Sequence, residues 1–328
     1  MTQSPQRLKW IDIARGIGII LVVYAHAARG LVQSGTLPET GWPLEIDTVI
    51  YAFHMPLFFI LAGLNMERGV ARSRMGFVLN KLQTVAWPYF LWSFLHGGLK
   101  LASARYTNNP ITVADLLAIP VVPIEQFWFL YVLFLCQLLV AVVLPRRWLL
   151  VLLTAAGVAL WWKIADASIF FRTLHYLPYI VAGLFAPPLL AWLAERRAWQ
   201  AAVAAGALIV FAMLILPVGA PAQAPTLIYA LASLGSLFTI ALSMMIARAE
   251  FSIQWLETLG RLSMPIFLMH TIFSAATRAG LKLVGLADPI AILGLVTAAG
   301  LILPILAYRV AAFMKITGLL GFGPPVAR

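Results

Sequence analysis

Charge is scarce in this chain: Asp, Glu, Lys and Arg make up 11% of its 328 residues, where soluble domains carry about a quarter. With 62% hydrophobic residues, that shortage excludes an ordinary soluble domain and leaves a polytopic membrane protein. Cysteine occurs once, as Cys136, which rules out an intrachain disulfide and a cysteine-rich metal centre. Acidic residues are few, 12 against 23 basic ones. In a soluble protein the resulting charge of +11 would suggest nucleic acid. Among long apolar runs, the basic residues read as topology signals and contacts to anionic lipids, so no nucleic-acid partner is expected. P-loop, G-x-S-x-G, H-E-x-x-H and metal-spaced patterns are missing. Gly16 and Gly18 make no dinucleotide fingerprint, because no strand precedes them. No internal repeat of the transporter kind is visible.

What is present is an all-α pattern of about ten membrane spans, read as one transmembrane domain over residues 1–328. The spans are expected near 11–31, 47–66, 83–101, 124–144, 148–162, 174–194, 199–217, 226–247, 262–284 and 288–310. Threading the segments alternately, fifteen of the 23 basic residues fall on one side and seven on the other, with Arg15 inside a span. The positive-inside rule therefore places both termini in the cytoplasm. Arg7, Lys9, an apolar run and Ala25-His26-Ala27 resemble a secretory signal, but Asp12 and Arg15 interrupt the start of the run, so retention is expected. Residues 67–81 form a basic cytoplasmic loop, and residues 33–47, with Glu39, Glu45 and Asp47, an external one. Asn108-Asn109-Pro110 signals a turn, as does the uncharged Pro217–Pro225 connection.

Ionisable residues inside a span are costly and mark function by default. The first span holds Asp12, Arg15 and His26. Eleven residues at roughly 100° each return to within about 20° of the starting direction, so Arg15 and His26 share one face, roughly 16 Å apart along the axis. A neutral buried imidazole at His26 suits a general base. Arg15 either pairs with Asp12 one turn away or binds an anion such as phosphate at the cytoplasmic face. His54, followed by Pro56 in the second span, is expected at a depth similar to that of His26. His270, after Pro265, lies nearer the membrane middle, where function and packing are evenly balanced. Glu125, Gln126 and Trp128 at the external entrance of the fourth span offer a carboxylate, an amide and an aromatic ring suited to a sugar, although a tryptophan there also fits an interfacial belt. His96 and His175, near external span ends, read as interfacial, and Trp87, Trp148 and Trp199 as anchors.

In sequence order, Asp12-x-x-Arg15-Gly16 with His26 ten residues on, Phe53-His54-Met55-Pro56-Leu57-Phe58-Phe59 ending in Gly63, Trp87-Pro88-Tyr89, Trp128-Phe129-Leu130 and Ser263 to His270 resemble the acyltransferase-3 family of membrane O-acyltransferases. The nearest flavour is its fucose 4-O-acetylase-like branch. The resemblance implies an acyl-CoA donor, usually acetyl-CoA, entering from the cytoplasm, and an acceptor hydroxyl on an external or lipid-linked glycan. It puts the essential histidine on His26 and the important arginine on Arg15, with no metal. His26 would then act as base toward the acceptor or carry the acyl group. Where the family often has two basic residues three apart, this chain has Lys81 and Thr84, which moves donor-phosphate contacts toward Arg68, Arg72, Arg74 and Lys81. Ala62 stands where serine is common. Two rival classes remain: a transporter or flippase for a glycan precursor, which would not consume acyl-CoA, and a non-catalytic membrane partner, which would tolerate changes at Arg15 and His26.

Overall fold

The computed structural model describes residues 9–104, 110–163, 168–216, 225–249 and 253–323. Asn108, Asn109 and residues 217–224, where turns are expected, lie outside the described residues, as does Arg7. Regular structure among the described residues is helical, without strands. Helices follow in the order α1 Lys9–Gln33, α2 Trp42–Tyr51, α3 His54–Gly63, α4 Met66–Arg72, α5 Arg74–Lys81, α6 Trp87–Ala102, α7 Val113–Ala118, α8 Trp128–Val143 and α9 Arg147–Lys163. Then come α10 Ile169–Phe185, α11 Pro187–Ala194, α12 Arg197–Ile215, α13 Pro225–Ile246, α14 Gln254–Arg261, α15 Ser263–Leu283 and α16 Pro289–Phe313.

Six helical stretches are long and apolar enough to cross a bilayer by themselves: Lys9–Gln33, Trp42–Arg72, Glu125–Val143, Arg197–Ile215, Thr226–Ile246 and Pro289–Phe313. The pair α10 and α11, broken at Ala186, makes a seventh if taken as one span. The other three of the ten expected segments fall on α6, with 16 residues, on α9, with a short apolar part Arg147–Trp161, and on α15, whose apolar run is diluted by His270, Thr271, Ser274 and Arg278. The chain is thus a multi-pass, all-helical membrane protein with six or seven clear spans.

By packing, the chain divides into two compact units. The first comprises residues 1–61 and 188–305, and α1 is its axis. Helices α2, α13, α14 and α15 all pack on α1. Two glycines make the α1–α14 crossing close. A Cβ on Gly16 would stand 2.3 Å from the Leu256 carbonyl oxygen, and one on Gly260 would stand 1.7 Å from that of Asp12. Backbone therefore touches backbone at the Arg15 end of α1. Near its other end, the buried cluster of Ala27, Ala28, Leu31, Leu37, Ile292, Leu293 and Val296 ties α1 to α16.

The second expected span is two helices in this structure. Pro56 brings no N–H for the carbonyl of Ala52, four residues back, and the chain breaks there. The Phe53 N–H turns instead to the Ile50 carbonyl, 3.2 Å away. Phe53 fills the space beside Gly235 and meets the Phe211 ring edge-on at 5.8 Å. The break delivers His54 as the first residue of α3.

The second unit comprises residues 62–187 and 306–328. Between α5 and α6 lies a π turn, Leu82–Ala86, closed by the Trp87 N–H on the Leu82 carbonyl. Pro88 lacks the N–H that an α turn would give to Thr84, which accounts for the wider turn. The Trp87-Pro88-Tyr89 segment receives the C-terminal turn. Indole N–H groups of Trp87 and Trp92 donate to the carbonyls of Leu319 and Leu320, both at 2.9 Å. Phe322 stacks on Trp92 at 5.7 Å. Gly321, at φ 73°, has room for no Cβ, because Pro88 would be 2.7 Å from it.

Candidate functional site

Helix α1 runs unbroken from Lys9 to Gln33, so Arg15 and His26 do share a face along one rigid element. Both are half-buried. Asp12, one turn from Arg15, is buried, 3% exposed, under the α14 crossing.

His26 meets His270 of α15. Their rings are 5.0 Å apart at an interplanar angle of 62°, an edge-to-face contact. His270 is fully buried. Its Nδ1–H donates to the Phe267 carbonyl at 2.8 Å and to that of Ile266 at 3.1 Å; a carbonyl only accepts, so Nδ1 holds the proton and Nε2 the lone pair. Behind it Gly300 of α16 lets the helices close, with Ser274 Oγ 2.6 Å and Val23 Cγ1 2.8 Å from where a Cβ would be. His270, expected nearer the membrane middle, is thus brought into ring contact with His26, because α15 packs on α1.

His54 is also buried, and its Nδ1–H donates to the Ile50 carbonyl at 2.7 Å. Two contacts set the antiparallel register of α1 against α2 and α3: Gly18 against Phe58, and Arg29 against Asp47. On that register His54 lies level with Val22, one helical turn, about 6 Å, from His26.

Arg29 was expected only as an external topology signal, and Asp47 only as part of an acidic loop. In the structure Asp47 belongs to α2. Its carboxylate takes Arg29 in a two-point fork, Nε to Oδ2 at 2.8 Å and Nη2 to Oδ1 at 2.9 Å. The guanidinium also lies 4.3 Å from the Tyr51 ring centroid, and Tyr51 meets the His54 ring at 5.6 Å. Arg29 stands three residues after His26, hence on a neighbouring face; that spacing was the signal available in the sequence.

The remaining expected residues belong to the second unit. Glu125 lies in a 3-10 turn at φ 42°, exposed and ion-paired with Lys100; Gln126 is buried beside it. Trp128 is half-buried, 5.2 Å from Tyr176 and 5.1 Å from the Arg172 guanidinium. Arg68, Arg72 and Arg74 are exposed on α4 and α5, and Lys81 sits over the Phe77 ring at 5.2 Å. His96 and His175, expected at the interface, are buried instead: His96 against Phe127 at 4.8 Å, His175 against Trp161 at 4.2 Å. Trp87, Trp148 and Trp199 are exposed, as anchors would be. Among the described residues no three His, Cys, Asp or Glu group as a metal site would.

The chain is 28% identical over 181 residues to the nodulation protein NolL of Mesorhizobium japonicum, covering 54% of this chain and 48% of that protein. It thus spans about half the length of this curated relative. No solved structure matches. The acyltransferase-3 family, described as an acyltransferase domain, matches residues 8–309, from the start of α1 to near the end of α16 and including Arg15, His26, His54 and His270. On that coverage, the chain belongs to the acyltransferase-3 family.

Proposed function

We propose that this protein is an integral membrane O-acyltransferase that moves an acyl group, acetyl in the simplest case, from acyl-CoA to a hydroxyl of a cell-envelope or exported glycan. It acts in the bacterial inner membrane with both termini in the cytoplasm, as the distribution of basic residues indicates. The observation that carries the reading is the polar cluster on α1: Arg15 at one end, and His26 at the other in ring contact with His270. Arg15 holds a CoA phosphate at the cytoplasmic side, about 16 Å below His26. His26 takes the proton of the acceptor O–H as the oxygen bonds to the thioester carbonyl carbon. The C–S bond then breaks, and the departing CoA thiolate recovers that proton from His26. In the first unit His54 and His270 are the proposed acceptor contacts; Glu125, Gln126 and Trp128, in the second, are proposed on their chemistry alone as sugar contacts. Arg72, Arg74 and Lys81 add positive charge for the donor phosphates.

The test uses purified protein in nanodiscs, measuring acetyl-CoA binding and release of free CoA. His26→Ala is expected to bind acetyl-CoA but not cleave it, and Arg15→Ala to bind it at least tenfold more weakly. A folded parent that binds no acyl-CoA refutes the reading and favours a carrier of a glycan precursor.

A further inference from the structure

Acyl transfer places negative charge on the carbonyl oxygen, and a donor aimed at that oxygen is a large part of catalysis. The two imidazoles beside His26 do not supply it. In neutral His54 and His270 the single ring N–H is already given to backbone carbonyls, Ile50 in one case and Phe267 with Ile266 in the other. Each offers the site a lone pair and no hydrogen. Arg15 is roughly 16 Å down the axis.

Arg29 has what they lack. It sits three residues, about 4.5 Å of rise, beyond His26 on the same helix, and the Tyr51 ring that it covers meets the His54 ring. Asp47 engages Nε and Nη2, and Tyr51 lies under the plane. A guanidinium has five N–H groups in a rigid fork. The Asp47 pairing uses one edge and leaves the Nη1 amino group for another acceptor. Its side chain keeps a third of its surface open, whereas that of Asp47 keeps 11%. The group is therefore locked in orientation and still accessible.

We infer that Arg29 is a catalytic residue: through Nη1 it stabilises the anionic oxygen that forms when the acceptor hydroxyl adds to the thioester carbonyl, with Asp47 and Tyr51 as its positioning residues. The inference rests on the acyltransferase reading. As His26 takes the hydroxyl proton, the new O–C bond pushes the carbonyl electron pair onto oxygen, beside the guanidinium. When the C–S bond breaks, the pair returns and the charge leaves on sulfur, where it meets the His26 proton. No redox partner enters.

The discriminating experiment is a double-mutant cycle on Arg29 and Asp47 in nanodiscs, with acetyl-CoA as probe and free CoA as readout. Arg29→Gln is expected to lower kcat roughly 10²–10³-fold with KM for acetyl-CoA within about threefold. Asp47→Asn, which keeps the cation but loosens it, should lose about tenfold or less. Arg29→Gln alone leaves a buried carboxylate unpaired, and its fold can suffer; Arg29→Gln with Asp47→Asn removes both charges and restores the fold. If the pair is only structural, that double variant regains the rate of Asp47→Asn, and the inference fails. If Arg29 serves the oxygen, the folded double variant stays as slow as Arg29→Gln. A loss confined to KM also overturns the assignment. A parent indistinguishable from His26→Ala would instead overturn the acyltransferase reading itself.

Discussion

The α1–α14 crossing gives a sharp prediction about the platform under Arg15. Adding one methyl at Gly260 puts a Cβ 1.7 Å from the Asp12 carbonyl oxygen, where real Cβ atoms essentially never come closer than 3.0 Å. The helices must part by at least 1.3 Å, the difference between those two distances. Neither partner is a flexible side-chain end, and Gly16 is held against the Leu256 carbonyl in the same way, so relief cannot come from rotation about a side-chain bond. Overpacking of this kind costs about 1–3 kcal/mol, roughly 1.5–4.5 °C in melting temperature for a chain of this size. A displacement above 1 Å at the Arg15 end should also cost roughly 10²-fold in acyl-CoA cleavage. Gly294 of α16 is the control, because nothing lies within 4 Å of its Cβ position. There the same substitution removes backbone freedom from the unfolded chain and should stabilise by about 0.5–1 kcal/mol. Both variants are melted in nanodiscs by tryptophan fluorescence and assayed for CoA release. If Gly260→Ala melts as high as Gly294→Ala, backbone contact at this crossing is refuted.

Two further outcomes follow from the second unit. Trp92→Phe keeps a ring against Phe322 but loses the 2.9 Å bond to the Leu320 carbonyl. At about 1 kcal/mol for such a bond, backbone amides of residues 315–323 should exchange roughly fivefold faster, and unchanged exchange would show that the indole does not hold the turn. At the start of α7 the Thr112 N–H and hydroxyl both donate to the Asp115 carboxylate, which lowers its pKa below the usual carboxylate value. A depressed folded pKa stabilises above the unfolded value and is lost as pH falls through it. Protection of the amides of residues 112–118, their exchange relative to an unstructured peptide at the same pH, should therefore be largest at neutral pH and fall below about pH 4, and Asp115→Asn should remove that dependence.

Much of this protein is determined locally. Scarce charge and long apolar runs dictate membrane helices, because unpaired backbone is intolerable in hydrocarbon. The shared face of Arg15 and His26 follows from the helical repeat alone, and α1 is continuous as that requires. The break before His54 is foreshadowed by Pro56, since proline's missing N–H is a local fact.

Lateral placement is another matter. That His270 touches His26, that Arg29 is clamped by Asp47 and Tyr51, and that His96 and His175 are buried against aromatic rings depends on which helix lies beside which. Those neighbours are chosen by packing between distant segments: Gly16 and Gly260 letting α14 onto α1, Gly300 letting α16 onto α15. Helical periodicity tells which face of a helix a side chain occupies, but it carries no information about the element that covers that face. A polar residue in a span therefore announced itself in the sequence, and only the tertiary structure supplied its partner.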